Sequence, residues 1–316
     1  MKIKTLILSL IIFNTTNAQD IHFSQFDRSA FFLNPSLLSY EDYDCKALLQ
    51  NRSQWEEVGV PFSTFTLSLE RANFISNHSF GIQVLNDLAG DARLKTSGLN
   101  VIYSKSLKIT RSNLFSFGLG FGVFQRSISY EALIFNTPEE YPNLNFWYPD
   151  INAGISIENN ISEKLSFNTG IGFFHLYPAS QSLIGNNEIK LIAKNNFHLT
   201  TRYKLNNKNR INSKCFFSKQ RNNQELVVGS EIEHFIKMKK LTTINSGLFY
   251  RFKDAIVFQA GVRQDNFGVL FSYDFNTSSL NNASNYQGGT EFSFVYYWDL
   301  KKRIKNKPPE CCPKYL

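Results

Sequence analysis

Residues that could do chemistry are few and scattered in this chain. Its five histidines, His22, His78, His175, His198 and His234, include no His-x-x-x-His pair. The four cysteines, Cys45, Cys215, Cys311 and Cys312, have no metal-ligand spacing with histidines nearby. No metal and no cofactor are expected. There is no Gly-x-Ser-x-Gly elbow, so a hydrolase would need a Ser/His/Asp group assembled from distant segments. Gly118-Leu-Gly-Phe-Gly122 resembles the start of a nucleotide loop. Such a loop needs a turn between a strand and a helix. Here the glycines sit inside an alternating run with no helical pattern after it, which favours a close backbone approach. Asp91, Glu139, Glu140 and Asp150 offer carboxylates without the Asp-x-Asp-x-Asp spacing of a calcium loop. Solvated loop charge is the expectation for them. No enzyme is predicted.

The element that carries those glycines is more informative. Phe115, Phe117, Leu119, Phe121 and Val123 alternate with Ser116, Gly118, Gly120 and Gly122. Side chains alternate across a strand, so one face is bulky and apolar and the other nearly bare. Lipid outside and a barrel lumen inside account for both faces. The run is about as long as a bilayer-crossing strand, roughly 9–11 residues. The pattern recurs from about Asp44 to Leu300, giving about 14 strands with weaker candidates at 45–51 and 211–218. On 196–205, His198, Arg202 and Lys204 share a face, which is costly in a dry core and cheap in a watery lumen.

Composition and connection lengths agree. The chain has 30 Phe and 14 Tyr, residues that suit pleated, half-buried surfaces. The net charge of +8 is spread over turns and the tail rather than clustered, so nucleic-acid binding is not expected. Long connections (51–62, 86–93, 126–148, 176–188, 219–223, 252–255, 277–288) alternate with shorter ones, as in outer-membrane barrels. The 126–148 connection is strongly aromatic: Tyr130, Phe135, Tyr141, Phe146, Trp147 and Tyr148. It suits either a barrel mouth, a partner contact or the membrane interface. Lys2, Lys4, the apolar run Leu6–Phe13 and Thr16-Asn17-Ala18 read as a signal peptide.

The expected organisation is a signal peptide (1–18), an N-terminal periplasmic or plug segment (19–43), an all-β transmembrane outer-membrane barrel of antiparallel strands (44–300), and a periplasmic tail (301–316). An even strand count puts both termini in the periplasm. An exported compartment permits disulfides, but no pairing of the cysteines is assigned.

Two stretches add a resemblance. His22-Phe-Ser-Gln-Phe26, Phe31-Phe-Leu-Asn-Pro-Ser36, Arg52-Ser-Gln-Trp55 and Pro61-Phe-Ser-Thr64 occur in that order near the start. Ser272-Tyr-Asp274, Ser279-Leu280, Gly288-Gly289, Glu291 and Cys312-Pro-Lys-Tyr315 close the chain. This ordered set resembles the PorP/SprF family of type IX secretion proteins, with one departure, a doubled Cys311-Cys312. The resemblance implies a non-enzymatic outer-membrane barrel of the type IX secretion and gliding machinery. Such a barrel supports secretion or surface anchoring of a partner protein such as an adhesin. Its implied partners are outer-membrane lipid and type IX secretion components or a secreted adhesin. Phe23, Ser24, Gln25, Asn34, Pro35, Arg52, Gln54, Trp55, Cys312 and Pro313 are the partner-binding candidates it singles out. A transport barrel for a small solute is the alternative function.

Overall fold

A computed structural model describes residues 20–39, 43–54, 60–75, 77–90, 93–129, 144–182, 189–237, 241–278 and 287–300. The expected signal peptide, Trp55, Asp91, Tyr130, Phe135, Glu139, Glu140, Tyr141 and the tail with Cys311, Cys312 and Pro313 lie outside the described residues.

Fourteen strands run in chain order: β1 (Cys45–Gln54), β2 (Phe62–Ile75), β3 (His78–Ala89), β4 (Leu94–Lys108), β5 (Asn113–Ile128), β6 (Leu144–Asn160), β7 (Leu165–Phe174), β8 (Lys194–Lys204), β9 (Asn209–Gln220), β10 (Asn223–Lys237), β11 (Leu241–Arg251), β12 (Ala255–Gln264), β13 (Phe267–Asn276) and β14 (Gln287–Trp298). Each pairs antiparallel with its neighbour, and β1 pairs with β14 to close the barrel. Closure leaves no unpaired strand edge, the condition for crossing a bilayer with strands. No helix is long and apolar enough to cross a membrane. Both weak strand candidates are real: they are β1 and β9.

Two-residue alternation sorts the wall. Leu67, Leu69, Ile82, Val84, Leu119 and Phe121 face outward and are exposed, an apolar band of the kind outer-membrane barrels turn to the bilayer. Gln50, Thr66, Ser68, Gln83, Asn100 and Ser116 face inward and are buried. A polar inner face is buried here because something fills the lumen.

That filling is residues 20–39. A single turn of helix, α1 (Ala30–Leu33), and a 3-10 turn over Pro35–Ser39 are joined by Asn34. The Asn34 side-chain oxygen accepts from the Ser36 amide (2.9 Å) and hydroxyl (2.8 Å), folding the chain back at this point. The strand ends that flank 76–77, 109–112, 161–164, 205–208, 238–240 and 265–266 lie at one end of the barrel. Those that flank the longer intervals 55–61, 129–143, 175–193 and 277–286 lie at the other end, with those at 90–93, 221–222 and 252–254.

Three boundary expectations change. Arg52 lies in β1, inward and buried, rather than in a long connection. Phe146, Trp147 and Tyr148 belong to β6, not to the connection before it. Asp150 is an inward β6 residue, 3% exposed, rather than a solvated loop charge. In each case strand pairing continues past the point where aromatic or charged residues suggested a loop.

Candidate functional site: the lumenal plug and its polar sockets

The plug enters beside the long-connection end. Asp20 accepts from Lys194 Nζ at 3.0 Å and contacts His175 Nε2 at 3.1 Å. His175 Nδ1 contacts Asp150 Oδ1 at 2.9 Å, and its backbone N–H donates to Asn152. His175 directly follows β7 and Lys194 opens β8, so this clasp grips the ends of both strands. Burial alone would lower the His175 pKa, but the carboxylates of Asp20 and Asp150 outweigh it and push it up to about 9. Burial opposes ionisation of Asp20 too, yet Lys194 and His175 hold its carboxyl well below the usual range.

Across the lumen, the Phe23-Ser-Gln segment is held by an ionic cluster. The Ser24 hydroxyl accepts from Arg52 Nη1 and from Arg251 Nη2, each at 2.7 Å, and donates to Asp274 at 2.6 Å. Its backbone N–H donates to Glu291 at 2.7 Å, and Gln259 donates to its carbonyl at 3.0 Å. Arg52 also pairs with Asp274 (2.7 Å) and Glu291 (3.3 Å), and Arg251 with Asp274 (3.0 Å). Gln25 donates to Ser272 and accepts from Ser293. These charges, buried at 0–4% exposure, are tolerable because each carries an opposite charge and several hydrogen bonds.

Lower in the lumen, Asp27 pairs with Lys214 at 2.7 Å and Arg28 with Glu231 at 2.8 Å. Burial disfavours charge on Asp27, but Lys214 and Arg28 outweigh it and lower its pKa. Between the ionic contacts lie apolar ones. Phe26 stacks on Phe216 at 5.1 Å and meets Phe249 edge-on. Phe31 and Leu38 pack against Ile102.

The glycine face of β5 explains itself here. A Cβ on Gly118 would lie 2.5 Å from the Pro35 carbonyl oxygen. On Gly154 of β6, it would overlap the Asn34 side chain and sit 3.0 Å from Pro35 Cδ. Asn34 itself donates to the Ile155 carbonyl at 2.9 Å, and Asn196 donates to the Phe32 carbonyl at 2.8 Å. The backbone of the plug therefore lies against a wall cleared of side chains.

Six sequence-selected residues lie inside the barrel in separate places: Ser24, Gln25 and Arg52 meet at the ionic cluster, while Asn34 and Pro35 lie against β5 and β6. Phe23, Ser24, Gln25, Asn34, Pro35 and Arg52 are all buried within the barrel, where they bind wall or plug. Gln54 ends β1, with its Cγ 3.0 Å from where a Gly289 Cβ would stand. Ser272, Asp274 and Glu291, from the closing motif, meet Ser24 and Gln25 from the opening one. Sequence reasoning missed Arg251, Gln259, Lys214 and the Asp20–His175 clasp. A detectable signal existed for the first three: each has the inward parity of its strand. His175 and Asp20 lie outside strands and carry no such mark.

Three of the other four histidines bond to assorted side chains: His198 to an amide (Asn168), His78 to a phenol (Tyr103) and His234 to an amide (Asn209), while the buried His22 Nε2 has no hydrogen-bond partner among the described residues.

The model of a family described as "Type IX secretion system membrane protein PorP/SprF" matches residues 15–296. No curated protein matches the sequence. Among solved structures, a Pseudomonas aeruginosa FadL homologue is similar at a TM-score of 0.53 and 10% identity, over 86% of this chain and 94% of that one. That likeness concerns the barrel fold alone. The P. putida toluene transporter TodX gives a TM-score of 0.46 at 8% identity (86% and 94% covered). The translocator domain of the autotransporter NalP from Neisseria meningitidis gives 0.47 at 13% identity (82% and 90%).

Proposed function

The chain belongs to the PorP/SprF family of type IX secretion system membrane proteins, and from that premise we propose that it is a non-enzymatic outer-membrane barrel that supports secretion or surface anchoring of a partner protein such as an adhesin. The observation that carries this reading is the lumen filled by residues 20–39, pinned on one side by the hydrogen bonds of Ser24 to the buried ionic cluster and on the other by the Asp20–Lys194 and Asp27–Lys214 ion pairs. A solute channel needs a continuous aqueous path. A plugged barrel instead acts through what its two faces and its tail hold.

We assign the long-connection end to the cell exterior and the short-turn end to the periplasm, following the usual asymmetry of outer-membrane barrels. On this assignment β1 starts and β14 ends at the periplasmic side, while Asp20 lies in the lumen towards the outer mouth. Residues 1–18 serve as the signal peptide. We place residues 301–316, with Lys301, Lys302, Arg303, Lys305 and Lys307, on the periplasmic side. We read Phe23, Ser24, Gln25, Asn34, Pro35 and Arg52 as plug-holding residues. Gln54, Trp55, Cys312 and Pro313 are the candidates for direct partner contact.

Planar-bilayer recording of the purified protein tests the closed lumen. The intact protein should show no steady conductance, and a variant lacking residues 20–33 should conduct. Steady conductance by the intact protein would favour small-solute transport instead.

A further inference from the structure

Below the plug, at the short-turn end, the lumen opens into a vestibule of about 640 Å³. Six cations line it: Lys108, Arg111, Lys164, Arg202, Lys204 and Arg210. Only Glu158 and Glu163 among its lining residues are acidic. Arg210 is committed to Glu233. Among the described residues, Lys108, Arg111, Lys164 and Lys204 make no ion pair with any carboxylate, which leaves the vestibule strongly positive. Its ceiling is the plug. A void of only about 10 Å³, walled by Ser36 and Leu37 above and sharing Leu114 and Glu158 with the vestibule, separates the two. Anything that enters comes from the short-turn mouth and stops at Ser36.

Three features select the occupant. Lys108 and Lys204 have inward parity on β4 and β8, so the barrel wall stands between them and bilayer headgroups. The unpaired cations are spread from the end of β4 to the end of β8, four strand steps of about 4.8 Å each. A compact anion cannot touch them all. An extended acidic segment can, since about six residues at 3.3 Å rise cover that arc. The tail of this chain, which follows β14 at the same end, carries five cations between 301 and 307 and has the wrong sign. We propose that this vestibule is a docking site for an acidic peptide segment of a partner protein. Its assignment to a periplasmic partner rests on the orientation given under the proposed function; binding itself does not.

Fluorescence anisotropy of labelled decaglutamate with the full mature protein in detergent tests the proposal. Binding is expected, weakening as salt rises, with none for labelled decalysine. Lys164→Glu and Lys204→Glu should each weaken it about tenfold. Lys164→Gln and Lys204→Gln serve if charge reversal prevents folding, with retained barrel structure checked by circular dichroism. No binding, or binding indifferent to these variants, would overturn the proposal. So would full displacement of the peptide by inorganic phosphate, which indicates a compact-anion site, or by phosphatidylglycerol vesicles, which indicates a lipid-headgroup site. None of these outcomes bears on whether secretion subunits co-purify with the protein.

Discussion

Ser24 is the residue on which the interior turns. Its hydroxyl sits between two guanidinium groups and a carboxylate, so plug and wall share one charge-balanced cluster. Removing one partner leaves a buried charge uncompensated. Arg52→Ala strands Glu291 and leaves Asp274 with Arg251 alone, and should cost on the order of 3 kcal/mol in denaturant unfolding. Combining it with Glu291→Gln should recover part of that loss; strict additivity would mean the two side chains do not interact. The Asp20–His175 clasp makes a pH prediction. His175 carries a folded pKa raised from 6.5 to about 9, so its contribution is complete below pH 6.5 and is lost as pH rises through about 9. The lowered Asp20 pKa adds a contribution present above pH 3.8 and lost in stronger acid. Hydrogen exchange over residues 20–28, corrected for intrinsic rates, should therefore accelerate between pH 6.5 and 9. His175→Gln should flatten that profile; an unchanged profile would remove the clasp from the account. Arg52 was legible as a motif residue. Its depth was not, because strand ends are set by pairing that a local pattern does not reveal.

At the scale of elements, β5 and the plug explain each other. The alternation of Phe115–Gln125 separated an outward apolar face from a lumenal one, and that part of the fold was readable because parity is a local property. The bare inner face signalled room. What fills it required the long-range fold, since Pro35 meets Gly118 and Asn34 meets Gly154 across more than 80 residues of chain. Gly118→Val should leave the barrel closed but drive the plug from its seat, at an overpacking cost of about 1–3 kcal/mol. Added Cβ atoms meet plug backbone there, which cannot rotate away as a side chain can. Limited proteolysis should then cut within residues 20–39, and bilayers should show conductance. Gly120→Ala is the control: its Cβ meets Asn152 Cβ at 3.2 Å and no plug atom, so plug and conductance should stay as in the parent protein. Equal effects from both substitutions would mean that the wall, not the plug, was disturbed.

For the whole molecule, the two ends of the sequence converge inside one closed wall. The opening motif supplies Ser24 and Gln25, and the closing motif supplies Asp274 and Glu291. The family resemblance is thus carried largely by residues that close the lumen, which explains why the middle of the chain reads only as strands. The wall must be apolar outside and polar inside, and many residues satisfy each demand. The ionic cluster admits far fewer substitutions. Charge is also segregated: neutralised pairs hold the plug, while unpaired cations gather at the short-turn mouth. On the proposed function, that division suits a barrel sealed within that meets protein partners at its faces. Affinity purification of the tagged protein from detergent-solubilised outer membrane tests this most directly. Recovery of type IX secretion subunits, or of a single large secreted surface protein, is expected. Recovery of the barrel alone, with steady ion conductance in planar bilayers, would contradict it.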